Sequence, residues 1–203
     1  LDDLSYPVVR VLRDGATRLN IRPITPADRD ELRRAFQASS ARTRYLRFMG
    51  VMRELSDEML DYLTNVDGKD HVALVATVTS PDMKSERGVG VARFIRMKDE
   101  PHVAEGAITV VDDMQSKGVG TALAFELERA ARANDIRAMR ADVLEANETM
   151  RTILEAAGAK KLPAEDPGVV SYEIALEPDE PPPFPERLLT RLLRAAAQFD
   201  PSP

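Results

Sequence analysis

The chain has 203 residues, 43% of them hydrophobic and 31% charged, and a formal net charge of −6, which suits one globular domain and argues against a general nucleic-acid binder. Zero cysteines exclude disulfides, thiolate metal sites and a cysteine nucleophile, and with His71 and His102 as the only histidines no metal centre is expected. No apolar run is long enough to span a bilayer and no signal-peptide pattern opens the chain, so the expected setting is cytoplasmic with no membrane partner; the start at Leu1 rather than Met is compatible with loss of upstream residues.

Residues 7–24 (PVVRVLRDGATRLNIRPI) predict a β-hairpin turning at Asp14-Gly15, where the glycine supplies positive φ. Thr25-Pro26-Ala27-Asp28 then opens a helix, with Thr25 as N-cap, Pro26 at the first helical position and Asp28 near the positive end of the dipole. Leu32, Ala35 and Phe36 mark its buried face. A second helical piece covers about 41–48, and a third begins at Ser56, with Asp57 and Glu58 in the first turn and Leu55 and Leu60 placed as a hydrophobic staple. Strands are expected at 71–79 (HVALVATVT) and 88–97 (GVGVARFIRM), an antiparallel pair separated by the polar loop SPDMKSER, and again at 102–111 (HVAEGAITVV). The alanine-rich stretch 119–133 puts Val119, Leu123, Leu127, Ala130 and Ala131 at helical spacing. A strand at 137–144, a short helix from Asn147 to Gly158 and an apolar strand at 168–176 complete an α/β domain over residues 1–177. Residues 178–185 are a proline-rich linker, and 186–200 form an amphipathic helix with Leu188, Leu189, Leu192, Leu193 and Ala196 on one face. That helix suits packing on its own domain or on a second copy in a homodimer, while Arg187, Arg191 and Arg194 leave a membrane-surface role as the alternative.

The run Gln115-Ser116-Lys117-Gly118-Val119-Gly120-Thr121 lies between the 102–111 strand and the 119–133 helix. A glycine-rich turn at a helix start leaves several backbone N–H groups unpaired at the positive end of the dipole, a site for phosphate oxygens. Gly118 and Gly120 let the backbone come close to such a ligand. A P-loop needs its lysine after the second glycine, whereas Lys117 precedes Gly118. A dinucleotide turn needs a small residue where Leu123 stands, and although Asp142 follows at about twenty residues it falls inside the next strand. The spacing Gln115-x-x-Gly118-x-Gly120, followed by a strand, then Asn147, a short helix and Gly158, resembles the acyl-CoA pyrophosphate loop of the GNAT superfamily of N-acetyltransferases. The resemblance spans roughly residues 17–177. It implies a mixed twisted sheet of about six or seven strands, with the strands at 102–111 and 137–144 splaying apart to admit the pantetheine arm.

That resemblance assigns acetyl-CoA as the acyl donor, held by Gln115, Ser116, Lys117, Gly118, Val119, Gly120 and Thr121, with main-chain groups of Val110 and Val111 offered to the acetyl and pantetheine moieties. Asn147 either bonds the pantetheine or caps its own helix, two uses that are compatible, and Met150 is a ligand contact or core. Lysine has a pKa of about 10.4, so at pH 7 roughly one in 10³ is a free amine and a proton acceptor is needed. Glu105 interrupts a strand of small and apolar residues, sits between Ala104 and Gly106 and shares a face with Val103, Ala107 and Thr109. A glutamate on this strand often serves as base in the resembling family, which makes Glu105 the candidate general base here. The tyrosine that many members carry as general acid falls at Leu154, leaving solvent, Tyr172 or Tyr45 to protonate the thiolate. Arg42, Arg44, Arg47 and Arg53 form a basic patch that suits an acidic protein surface, the 3′-phosphoadenosine or plain solvation.

The segments IRPITPAD, SARTRYLRF and VARFIRM…VAEGAITV resemble bacterial protein-lysine acetyltransferases, a group that modifies acyl-CoA synthetases. The expected activity is acetyl transfer to a protein lysine. The alternatives are a small-amine acetyltransferase, which an acidic acceptor cleft would favour over a basic or open one, and an acyl-CoA-binding sensor without turnover.

Overall fold

The expected turn at Asp14-Gly15 folds the first strands together: β1 (Val8–Val11) pairs antiparallel with β2 (Arg18–Pro23), Gly15 takes φ +71°, and Asp14 Oδ1 accepts from the N–H of Ala16 at 2.9 Å and Thr17 at 2.8 Å. The computed structural model describes residues 4–12, 14–79, 86–163 and 166–176. The expected linker at 178–185, the helix at 186–200 and a dimer through that helix lie outside these residues.

From β2 the sheet continues antiparallel through β3 (His71–Thr79), β4 (Glu86–Arg96) and β5 (Val103–Val110). A parallel neighbour needs a crossover, and the alanine-rich helix, α4 in chain order (Val119–Ala133), provides it to β6 (Ala138–Leu144). Antiparallel β8 (Val169–Ala175) follows, with β7 (Lys160–Leu162) at the edge, giving the order β1-β2-β3-β4-β5-β6-β8-β7. The sheet therefore has eight strands where six or seven were expected. The extra one is the three-residue KKL, too short and too charged to show a strand period.

Helices cover both faces, so β3 is buried along nearly its whole length. On one face Leu123, Leu127, Ala130 and Ala131 of α4 pack on Val72, Leu74, Ala92 and Phe94. Gly90 allows that approach: a Cβ there would lie 2.8 Å from Leu123 Cδ1 and 3.0 Å from Thr109 O. Glu126, fully buried on α4, is matched by Arg129 at 2.7 Å and by Arg10 of β1 at 2.5 Å. The other face carries α1 (Arg29–Ala38), α2 (Ala41–Phe48) and α3 (Asp57–Thr64). The helix expected from Pro26 starts as a 3₁₀ turn, Pro26–Asp28, because Asp28 reaches back to the Thr25 N–H (2.8 Å) while gripping Arg22 through both oxygens at 2.6 and 2.8 Å. Ser56 caps α3 by accepting from Met59 N at 3.2 Å, and Leu55 and Leu60 are buried together with Phe36 and Leu63. The last helix, α5 (Glu148–Ala156), follows β6.

Candidate active site

β5 and β6 pair only through Val103–Ala138, Ala104–Met139 and Glu105–Arg140. Beyond Glu105, β5 keeps its ladder with β4 as far as Val110, while β6 leaves it to pair with β8. Main-chain direction alternates along an antiparallel ladder. Val111 N–H donates to Val89 O at 3.0 Å and Val103 O accepts from Met97 N at 2.9 Å, so the odd-numbered residues face β4. Past the Glu105–Arg140 pair, the carbonyl of Gly106 and the main-chain groups of Ile108 and Val110 then face the widening gap. Gly106 also lets β5 pass Met139, whose Cε a Cβ there would strike. Val111 has both main-chain groups taken, the N–H by Val89 and the carbonyl by Met114 N at 3.0 Å. Of the two expected valines the structure thus turns Val110 to the gap and keeps Val111 in the sheet. Gly106 and Ile108 join Val110, a parity invisible until the β4 register is known.

β5 and β6 run parallel, so their C-terminal ends share one edge of the sheet, where loops can hold a ligand. A 3₁₀ turn, Asp112–Met114, leads into the glycine-rich loop. Ser116 adopts φ +60° and Gly118 φ +96° as N-cap of α4. The first N–H bonded within α4 is that of Ala122, to Gly118 O at 3.0 Å, so the donors of Val119, Gly120 and Thr121 at the turn before it are left for an anion. Val119 is 1% exposed and can serve only through its main chain, because its side chain belongs to the core. A Cβ on Gly120 would meet Val110 Cγ2 at 3.7 Å, an ordinary contact, so its bareness answers to no packing need within the protein. Lys117 is exposed, with its Nζ 4.0 Å from Met114 Sδ. The Gln115 side chain folds back, donating to Val110 O at 3.1 Å and reaching Thr43 Oγ1 at 3.4 Å.

Asn147 lies just beyond β6 at the same edge. Its Oδ1 accepts from Met150 N at 3.3 Å as N-cap of α5, and among the described residues its side-chain NH2 has no acceptor. Met150 is half-buried in the first turn of that helix.

Glu105 is the last β5 residue paired on both sides, at the vertex of the gap, and it is exposed. Among the described residues its carboxylate has no hydrogen-bond or ion-pair partner, because Arg140 opposite is taken by Glu100 (2.5 and 2.8 Å) and Glu173 (2.8 Å). Ala107 and Thr109, on the same side of β5, line an apolar cavity of about 840 Å³, its open mouth included, under α1 and α2. Arg44, Arg47 and Arg93 also line it. The basic patch therefore divides: Arg44 and Arg47 enter the cavity wall, whereas Arg42 and Arg53 are exposed. Burial pushes Arg47 below the usual arginine range, and the charge of Glu105 acts the other way.

Tyr172 is 1% exposed and donates its hydroxyl to Glu155 at 2.7 Å, so it is committed to holding α5 on β8, while Tyr45 stands exposed on α2. Sequence reasoning missed Asp112. Its carboxylate accepts from Ser40 N (2.9 Å), Ser40 Oγ (2.7 Å) and Thr43 Oγ1 (2.9 Å), tying the start of the loop to the helix that carries Arg44 and Arg47. Burial works against the charged carboxylate, but these hydrogen bonds outweigh it and hold Asp112 below the usual carboxylate range. Arg93 was also missed, although an arginine at an inward position of the strand VARFIR was a readable signal.

The sheet thus opens between two parallel strands, with main-chain groups facing the gap and the N–H groups of a helix start at its edge. The chain matches the acetyltransferase (GNAT) domain family over residues 18–160 and belongs to that family. It is 33% identical over 176 residues to acetyltransferase Pat of Mycolicibacterium smegmatis, covering 85% of this chain and 50% of that protein, so the chain spans half the length of that relative. An acetyltransferase of Pseudomonas aeruginosa is 35% identical over 150 residues, 74% of this chain and 78% of the relative. Among solved structures, the GNAT domain of S. lividans PAT superposes with a TM-score of 0.74 at 31% identity, covering 85% of this chain and all (100%) of that one.

Proposed function

We propose that this domain transfers an acetyl group from acetyl-CoA to the side-chain amine of a protein lysine, with Glu105 as general base. The observation that carries the choice of acceptor is the cavity beside Glu105. Its wall brings three arginines, and its two carboxylates, Asp28 and Glu31, are already engaged by Arg22 and Arg34. A free polyamine would meet cations there, whereas a lysine can be presented at the mouth with the protein's own surface making the remaining contacts. The resemblance to acetyltransferase Pat, and to the GNAT domain of S. lividans PAT, supports the same reading.

The pyrophosphate fits the N–H groups at the start of α4, and the pantetheine amides fit the main-chain groups of Ile108 and the N–H of Val110, whose carbonyl Gln115 already takes. Asn147 has its NH2 to spare for the same arm. Nearby guanidinium charge disfavours an ammonium at the vertex and so favours the neutral amine. The amine nitrogen attacks the thioester carbonyl carbon, its proton passes to Glu105 directly or through one water, and the C–S bond breaks. The departing thiolate takes its proton from solvent.

The test incubates labelled acetyl-CoA with lysate and either wild type or Glu105→Gln, then separates protein from small molecules. Enzyme-dependent label on protein lysines, lost in the variant, is the expected result. Label confined to small molecules would make the acceptor a free amine, and bound acetyl-CoA without any label would make the domain a sensor.

A further inference from the structure

The cavity wall holds more positive charge than the chemistry above uses. Arg93 is 6% exposed, and its guanidinium donates to Leu63 O at 3.2 Å and meets His71 Nε2 at 3.1 Å. Arg44 lies over the Phe36 ring at 5.3 Å, and its buried Nε has no hydrogen-bond partner. Arg47 lies over Phe48 at 5.1 Å. Among the described residues none of the three has a carboxylate within ion-pair distance. The charged and titratable groups facing them are few. Asp28 and Glu31 on the same wall are spoken for: Asp28 binds Arg22 and Thr25 N, and Glu31 binds Arg34 (2.7 Å) and Gly88 N (2.8 Å). Glu105 influences Arg47 without touching it, and burial, then the Arg93 charge, holds His71 below the usual histidine range. Burial, and then the charge of Arg47, brings Arg93 down to about 10. Like charges gathered in an apolar chamber without a counter-ion are costly to fold, and an arriving carboxylate relieves that cost.

We propose that this chamber is an anion subsite that receives an acidic side chain of the acceptor protein, placed within about two residues of the target lysine. The inference rests on the lysine-acetyltransferase reading and fixes its substrate class: a lysine with an aspartate or glutamate neighbour. Charge complementarity selects the occupant, because the wall is apolar apart from these guanidiniums, the Thr109 hydroxyl and the engaged polar groups. Arg44 and Arg47 on the wall supply the positive charge that meets the carboxylate, while Arg93 sets the potential behind them.

Two measurements separate this proposal from the reading beneath it. The first compares kcat/KM for matched lysine peptides carrying Glu or Gln beside the lysine, in wild type, Arg47→Gln, Arg47→Lys and Arg44→Gln. The expected Glu preference in wild type is about tenfold or more, as for one hydrogen-bonded charge pair. It falls toward one in Arg47→Gln and returns in part in Arg47→Lys, which keeps the charge. The second needs no turnover: fluorescence anisotropy of labelled Glu and Gln peptides with norleucine in place of lysine. Tighter binding of the Glu peptide, abolished by Arg47→Gln, supports the subsite even if acetyl transfer fails. Equal binding of the two peptides, or a preference untouched in both Arg47→Gln and Arg44→Gln, overturns it. Free glutarate displacing the probe as well as the Glu peptide does would make the occupant a small dicarboxylate and overturn it too.

Discussion

Gly118 and Gly120 make opposite demands on the chain, and alanine at each position shows the difference. At Gly120 a methyl group meets only Val110 Cγ2, at 3.7 Å, inside a helix that favours alanine over glycine by up to about 1 kcal/mol. The stability of Gly120→Ala is therefore expected to be unchanged or slightly raised, a Tm gain of about 2–4 °C at most for a chain of this size. The N–H of residue 120 survives the change, so its hydrogen bond to a phosphate oxygen is kept and acetyl-CoA affinity is expected to stay close to that of wild type. Gly118 sits at φ +96°, where a Cβ introduces strain of about 1–2 kcal/mol, so Gly118→Ala lowers Tm as well as affinity. Thermal unfolding without ligand and calorimetric titration with acetyl-CoA read the two effects apart. A Gly118→Ala protein that binds acetyl-CoA as well as wild type would refute the placement of the pyrophosphate at this turn.

Three further outcomes follow from contacts away from the cleft. Asp112→Ala frees Ser40 and Thr43 and loosens α2, so hydrogen exchange should accelerate across 40–48 while the global Tm drops by only a few degrees. In the wild type the same anchor is present above the ordinary aspartate range and is lost as pH falls through the lowered pKa of Asp112, which exchange followed on acidification would show. His71 binds its proton less readily folded than unfolded, so stability holds above an unfolded pKa of about 6.5 and declines as pH drops below it; His71→Gln should flatten that slope in denaturant titrations. Gly106→Ala meets the flexible end of Met139 where β5 and β6 part, and the thioether can swing aside, so the expected loss is no more than about 1 kcal/mol, read as a small fall in denaturation midpoint.

Much of the frame was legible because it rests on local signals. Asp14-Gly15 marked the hairpin, Ser56 with Leu55 and Leu60 marked a helix start, and the period of 119–133 marked the crossover helix. What stayed hidden depends on register or on distant pairing. Val110 and Val111 look alike until the bond from Val111 to Val89 assigns one to the gap and the other to the sheet. Ser40 and Asp112 are 72 residues apart, and no local pattern predicts that the two meet. Arg44 and Arg47 were visible as a basic cluster. Their convergence with Arg93 required folding α2 against β5, beside α1 on β4, which turned a surface patch into a chamber wall. Tyr172 shows the reverse, a chemically attractive residue that burial and a bond to Glu155 commit to structure.

Glu105 as the proton acceptor is tested most directly by the pH dependence of kcat/KM with a Glu-flanked lysine peptide, for wild type and Glu105→Gln, under conditions where both bind acetyl-CoA equally. The expected result is a loss of about 10²- to 10⁴-fold in the variant, with the acid limb of the wild-type profile abolished. Equal rates, or the same acid limb in both proteins, would contradict it and move the base elsewhere on the cleft.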